Sequence, residues 1–273
     1  RSHLGGRKLP QRRKDLFHAA CQCSQPDHFM KFHINALEEV GSTNDVALEA
    51  ASAGAEDGLV VWALRQTKGR GQKNRVWESK PGSSLTFTVL FRPSPEEEAV
   101  FGRFTALGAL AVADAVKKKT GASPVVKWPN DVLLNGKKIC GILSETDFCA
   151  GQAGAVVVGI GVNLLPGAFD GSKEMNYPAG DIFSETGCAL GAESFLRAVL
   201  EAAQKLRLLL PGEAFIREWN GRLAFKGEVR QIRNHKGETI PFRLLGVLPD
   251  GSLWVEDAAG QRLSFQSAEI LTD

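Results

Sequence analysis

The run KGRGQKNRVWES, residues 68–79, places Lys68, Arg70, Lys73 and Arg75 on a backbone jointed by Gly69 and Gly71 and closed by Trp77. Arginines beside exposed amides suit phosphate or carboxylate, through bidentate hydrogen bonds and local field. Glycines let such a backbone come close to a ligand. The same run also fits a solvated hairpin loop, because exposed charge is the norm. A second group follows in KWPND, where Lys127, Asn130 and Asp131 surround a turn fixed by Pro129. Strand ends in α/β sheets favour ligands, and Mg²⁺ takes a carboxylate such as Asp131 together with substrate phosphates. Taken alone, PND is equally a turn. Lys138 sits in GKKICGIL, a run apolar enough to be buried. Pointing inward it needs an anion; pointing outward it is an ordinary edge-strand lysine. Asn163, after GIGV, offers a capping amide or a phosphate contact. Taken together, these residues imply an anionic ligand beside an apolar cavity, most simply a nucleotide with an organic acid.

Several classes fall away on spacing. GRGQKN and GIGVNL lack the third glycine of a dinucleotide fingerprint, and no G-x-x-x-x-G-K-[ST] or G-x-S-x-G occurs. The five cysteines, Cys21, Cys23, Cys140, Cys149 and Cys188, form neither a disulfide framework nor a zinc pattern. Their odd, scattered placement suits a reducing cytoplasm. A net charge of +2 gives no global field for nucleic acid. No apolar run approaches the roughly 20 residues of a membrane span, and no signal-peptide pattern opens the sequence.

The elements that must position these groups alternate after Met30. FHINALEEV reads as a strand, and GSTNDVALEAASAG as a helix with a Ser42/Asp45 capping box and Gly54 as its left-handed stop. Residues 59–66 and 84–93 read as strands flanking the basic loop. Residues 96–121 read as one long helix, acidic at its start and lysine-rich at its end. VVKWPND is a strand broken by Pro129, and Asn135-Gly136 turns a hairpin within residues 131–146. AVVVGIGVNLL is a buried strand and ESFLRAVLEAAQKLRLLL a helix. From about Leu223, short alternating strands with Lys-Gly, Asp-Gly and Ala-Gly turns predict a small β-barrel of ~50 residues. The expectation is an α/β domain over 30–221 followed by an all-β domain over 222–273. Residues 1–29, basic and without periodicity, are set apart as a disordered or expression-derived leader; a basic arm for nucleic acid is the alternative.

The ordered set STN, QTKGRGQKNRVW, KWPNDVLLNGKKICGIL and VVVGIGVNL resembles the biotin–protein ligases, from about Leu37 to the C-terminus. The resemblance implies a mixed-sheet catalytic domain with flanking helices, like class II synthetases, plus an SH3-like barrel. It implies activation of biotin by Mg·ATP as biotinyl-5′-AMP, then transfer to a lysine of a carboxylase's biotin carboxyl carrier domain. By motif, Ser42, Thr43, Asn44 and Gln66 hold the ureido end of biotin. Gly69, Arg70, Gly71 and Gln72 line biotin and the adenylate, and Gly141 and Gly159 let the backbone crowd the ligand. Lys138 bridges the biotin carboxylate and the α-phosphate, acting with Arg70 and Asp131 in catalysis. Arg75, Trp77, Lys127, Asn130, Asp131 and Asn163 form the ATP side, with Asp131 the Mg²⁺ ligand.

Gln72 departs from the resemblance, since the loop of that family usually reads G-R-G-R. Glutamine loses the charge and the fork of arginine, so Gln72→Arg is expected to slow release of biotinyl-AMP. Too few residues precede STN for a winged-helix repressor domain, so no operator binding is expected. A cytoplasmic monomer or homodimer without membrane contact is the corresponding picture. Three rivals stand beside it. A lipoate- or octanoate-type ligase or transferase would centre on a different lysine pattern. A nucleic-acid-binding module is opposed by the near-neutral charge and the single tyrosine. A biotin-binding protein without chemistry would show no ATP-dependent turnover.

Overall fold

A computed structural model describes residues 30–149, 152–169 and 178–271. The leader reading and Cys21 and Cys23 lie outside the described residues.

Strand β1 (His33–Val40) leads through helix α1 (Thr43–Ser52) into β2 (Leu59–Gln66), and β1 and β2 pair in parallel. Such a connection needs a crossover element, here α1. The remaining pairs of this sheet are antiparallel: β3 (Ser84–Phe91), β4 (Val125–Lys127), β5 (Asp131–Leu134), β6 (Lys137–Cys149) and β7 (Gln152–Asn163) complete seven strands in the order β1-β2-β3-β7-β6-β5-β4. Every residue of central β3 is buried. Asn135 and Gly136, with φ of 51° and 77°, make the tight turn from β5 to β6.

The stretch expected as one long helix is two: α2 (Pro95–Glu98) and α3 (Arg103–Thr120). The short helix is closed at its start by a reciprocal Ser94/Glu97 capping box, and the chain turns before the apolar face of α3 can reach the sheet. Gly121, at φ 76°, ends α3 after three lysines. Helix α5 (Ala192–Arg207) packs against α3 over one face of the sheet, while α1 covers the other against β2, β3 and β7. Two short helices, α4 (Ile182–Thr186) and α6 (Glu213–Gly221), had no periodic signal long enough to expect.

The capping box expected at α1 does not form. Ser42 occupies the N-cap, but its side chain makes no capping bond. Instead Gln66 Oε1, at the end of β2, accepts Thr43 N–H at 2.7 Å and Thr43 Oγ1–H at 3.0 Å. An orphan helix donor is thus met from a neighbouring strand, and Asp45 is left for another partner.

The C-terminal strands β8 (Val229–Asn234), β9 (Thr239–Val247), β10 (Leu253–Glu256), β11 (Arg262–Phe265) and β12 (Ala268–Ile270) form an antiparallel sheet ordered β11-β10-β9-β8-β12. Its edge strands are not paired with each other, so the expected closed barrel is an open five-stranded sheet. With about 50 residues it cannot bury a full core alone. Ile232, Phe242, Leu244, Val247, Leu253 and Val255 instead join the main core. Arg103 donates to Pro249 O at 3.1 Å and to Leu210 O at 2.6 Å, and Trp128 Nε1 donates to Gly251 O at 3.0 Å, so polar bonds also join the two parts.

Candidate functional site

A cavity of about 360 Å³ opens where β6 and β7 face the loop between β2 and β3. Its floor is shaped by glycines. A Cβ at Gly159 would collide with Asn44 Oδ1, one at Gly161 with the Trp77 indole, and one at Gly141 would lie 3.0 Å from Trp77 Cζ3. The registers Gly141↔Gly161 and Leu143↔Gly159 put these positions on one face. The floor is therefore flat because its residues carry no side chain.

At one end of the floor lies an amide cluster. Asn44 Nδ2 donates to Leu143 O at 3.1 Å and to Glu145 Oε2 at 2.6 Å, while Asn44 Oδ1 accepts Thr88 Oγ1 at 2.6 Å. Thr88 Oγ1 also lies 2.8 Å from Thr43 Oγ1. Ser42, Thr43, Asn44 and Thr88 are all buried. This satisfied polar network fixes the side-chain geometry, as a site that must read one ligand orientation requires.

At the other end lie cations. Lys138 Nζ is 2.6 Å from Asp131 Oδ1 and 5.9 Å from the centroid of the Trp77 ring. Lys127 Nζ is 3.9 Å from Asp131 Oδ2. Burial pushes the Lys127 pKa below its ordinary value; Asp131 opposes this and Lys138 adds to it. Asp131 Oδ1 accepts no well-aligned hydrogen bond despite the close ammonium. Asn130 Nδ2 donates to Ile142 O at 2.9 Å, and Asn163 Nδ2 to Gly180 O at 2.9 Å, so both amides brace the backbone around the cavity they line. Lys138 is held by its backbone too, N–H to Pro178 O at 2.8 Å and O to Gly180 N–H at 3.0 Å.

Between the ends lies the basic loop, a tight hairpin. Trp77 N–H bonds Gly69 O at 3.0 Å, Arg70 bridges Val76, and Gly71 N–H bonds Arg75 O at 2.7 Å. Its tip is a 3-10 turn, Gln72–Asn74, in which Lys73 adopts φ 55°. Left-handed backbone thus falls on a lysine, whereas Gly71 at φ −116° is ordinary extended backbone. Gly69 is needed for a different reason: a Cβ there would strike the Trp77 carbonyl oxygen. Gly69 pinches the hairpin shut and does not itself line the cavity; the other expected site residues do. The Trp77 indole rests on the glycine floor with Nε1 buried and without a hydrogen-bond partner among the described residues.

The loop cations are held by carboxylates from distant elements. Arg70 Nη1 lies 2.7 Å from Asp45 Oδ1, and Nη2 3.1 Å from Glu145 Oε2. The hydrogen bond that Arg70 donates to Asp45, helped by the charge of Glu145, raises the Arg70 pKa above its ordinary value against partial desolvation. Glu269, on β12, lies 2.7 Å from Arg75 and 3.1 Å from Lys73. Thr88, Glu145 and Glu269 are site residues that motif spacing did not reveal. Thr88 had one usable signal, a hydroxyl inside a run otherwise suited to burial. Glu145 and Glu269 had none.

Residues 37–163 match the model of the Biotin/lipoate A/B protein ligase family. The chain is 34% identical over 240 residues to the biotin–[acetyl-CoA-carboxylase] ligase of Paracoccus denitrificans, covering 86% of this chain and 98% of the relative. The chain belongs to the biotin–protein ligase family. It is also 31% identical over 174 residues to the bifunctional ligase/repressor BirA of Bacillus spizizenii, across 63% of this chain. The match spans only 53% of that relative, and 40% of its Bacillus subtilis counterpart. The biotin protein ligase of Aquifex aeolicus, solved in complex with biotin and ATP, shares the fold of this family member with a TM-score of 0.74 at 24% identity, covering 88% and 99% of the two chains. Among the described residues, no helix of this ligase-family chain is long and apolar enough to cross a membrane.

Proposed function

We propose that this chain activates biotin as biotinyl-5′-AMP and then biotinylates a lysine of a biotin carboxyl carrier domain. The observation that carries the reading is the division of one cavity between an amide cluster around Asn44 and a cationic end around Lys138, across a floor of glycines. Gly141, beside the Lys138 ammonium, is two residues from Leu143, which pairs with the Gly159 under Asn44. That is about 7 Å along a strand. Biotin carries a urea at one end and a carboxylate at the other, which matches this division of polar groups between the two ends.

In the first step a biotin carboxylate oxygen attacks the α-phosphorus of ATP. The bond from that phosphorus to the bridging oxygen breaks, and pyrophosphate leaves. Two anions must meet, so Lys138 is placed to neutralise the carboxylate and the charge that builds on the phosphoryl oxygens. Arg70, Arg75 and Lys127 add positive field over the triphosphate. The hairpin with Trp77 covers the floor and keeps out water that would hydrolyse the mixed anhydride. In the second step the lysine amine attacks the acyl carbon, AMP departs, and the amine loses its proton.

Asp131 faces this end beside Glu269, which Lys73 and Arg75 already hold, and among the described residues no three His, Cys, Asp or Glu side chains group as a metal site. That donor set suits Mg²⁺ carried by ATP phosphates and touched by one protein oxygen. The ion supplies charge neutralisation there. We also retain a catalytic part over 30–221 and a second part over 222–273, supported by the second sheet starting at Val229. A lipoate or octanoate substrate is less favoured, because neither carries a urea for the Asn44 cluster. Incubation with biotin, Mg·ATP and a purified carrier domain should add one biotinyl group at one lysine by mass spectrometry. An unmodified carrier, or modification only with lipoate, would overturn the assignment.

A further inference from the structure

Arg70 lies on the loop between the two ends of the cavity, and its guanidinium is already paired. Asp45 of α1 takes Nη1 at 2.7 Å and Glu145 of β6 takes Nη2 at 3.1 Å. The arrangement reaches back into the start of α1. Asp45 stands three residues after Ser42, where a capping-box carboxylate belongs, yet Ser42 makes no capping bond and Asp45 turns to Arg70. Glu145 Oε2 also accepts Asn44 Nδ2 at 2.6 Å, so one oxygen binds both the amide cluster and the loop. The acyl-adenylate carries an anionic phosphate. A guanidinium has five N–H donors, and here Nη1 and Nη2 are engaged, so a phosphate drawing on either nitrogen must displace a carboxylate or share that nitrogen with it.

We propose that Asp45 is a positioning residue that sets how long the acyl-adenylate stays bound, by holding Arg70 in a carboxylate clasp with Glu145 that competes with the adenylate phosphate. The inference rests on the biotinyl-5′-AMP reading. Asp45 acts through Arg70 and need not touch the substrate. Its side chain is 53% exposed, so its removal leaves the core intact, whereas a change at Glu145 would also disturb Asn44.

The test is a release measurement. Biotinyl-5′-AMP is formed on the protein from biotin and Mg·ATP, and its dissociation is followed after dilution. The unaltered protein, Asp45→Asn, Arg70→Gln and the double variant are compared. An exposed pair of this kind is worth little, so Asp45→Asn should slow release on the order of two- to fivefold. The slowing should vanish in the Arg70→Gln background. Unchanged or faster release in Asp45→Asn overturns the proposal. Equal slowing in both backgrounds also overturns it, because Asp45 would then act as a general repulsive charge. Biotin-dependent pyrophosphate exchange by the unaltered protein is measured first. Its absence removes the adenylate reading and the clasp with it, whereas exchange with unaltered release removes the clasp alone.

Discussion

Glu269 Oε1 lies 2.7 Å from Arg75 Nη2, so a carboxylate on the last strand of the second sheet is the counter-ion of the glycine-rich hairpin. The same side chain holds Lys73 at 3.1 Å and lies 3.8 Å from Arg233. It is only 10% exposed, which makes these pairs firmer than surface ion pairs. The second sheet thereby holds the tip of the loop, which on the proposed reading faces ATP. Glu269→Gln should raise the KM for ATP on the order of five- to tenfold, from the loss of one or two ion pairs, with the KM for biotin unchanged. Glu269→Asp should recover part of the loss. Steady-state kinetics in each substrate decides it; equal rises in both KM values would contradict a role confined to ATP.

Lys138 is fixed by its backbone on both sides and set against Asp131. On the proposed reading its charge lies where the carboxylate and α-phosphate meet. Lys138→Gln should lower the single-turnover rate of adenylation by roughly 10²–10³, the usual loss for one preorganised charge-stabilising donor. Biotin binding by calorimetry should change far less. A large loss of biotin affinity with an intact adenylation rate would contradict this role.

Gly159 bears directly on Asn44. A methyl group in Gly159→Ala would overlap Asn44 Oδ1 and force that amide off Thr88 and Glu145. Breaking a buried hydrogen bond costs roughly 1–3 kcal/mol, so the biotin KM should rise about tenfold or more while ATP binding is spared. Parallel binding titrations with biotin and ATP would show it.

Much of this was legible in the sequence because it is local. The Asn135-Gly136 turn, the β-rich runs on either side of the basic loop and the lysine-rich end of α3 each depend on a few neighbouring residues. The grouping of STN, the loop, KWPND and GKKICGIL was legible through resemblance, and they do line one cavity. Failures came where tertiary partners overrode a local rule. Asp45 matched a capping box, but Arg70 took its carboxylate. Residues 96–121 were helical throughout in pattern, but the chain leaves the helix after Glu98 and resumes it at Arg103. Glu269 is 194 residues from Arg75, and no spacing rule reaches that far. The barrel expected from alternating strands is an open sheet, because the main core covers the face that closure would have buried.

Lys127 gives a proton-linked signature. Burial depresses its pKa below the ordinary 10.5 in the free protein. An unfolded chain would keep that lysine protonated up to 10.5, so the native state binds fewer protons in the window below it. Stability should therefore gain as pH rises through that window. Bound ATP supplies anionic partners and raises the pKa again, so binding there should take up protons. Calorimetry of ATP binding in buffers of different ionisation enthalpy should show that uptake, and Lys127→Met should abolish it.

The central claim is that biotin is adenylated in this cavity, and pyrophosphate exchange into ATP measures that step alone. With Mg²⁺ present, exchange should require biotin and should fail with lipoate or octanoate. Exchange supported by lipoate or octanoate and not by biotin, or no exchange despite bound biotin, would contradict it.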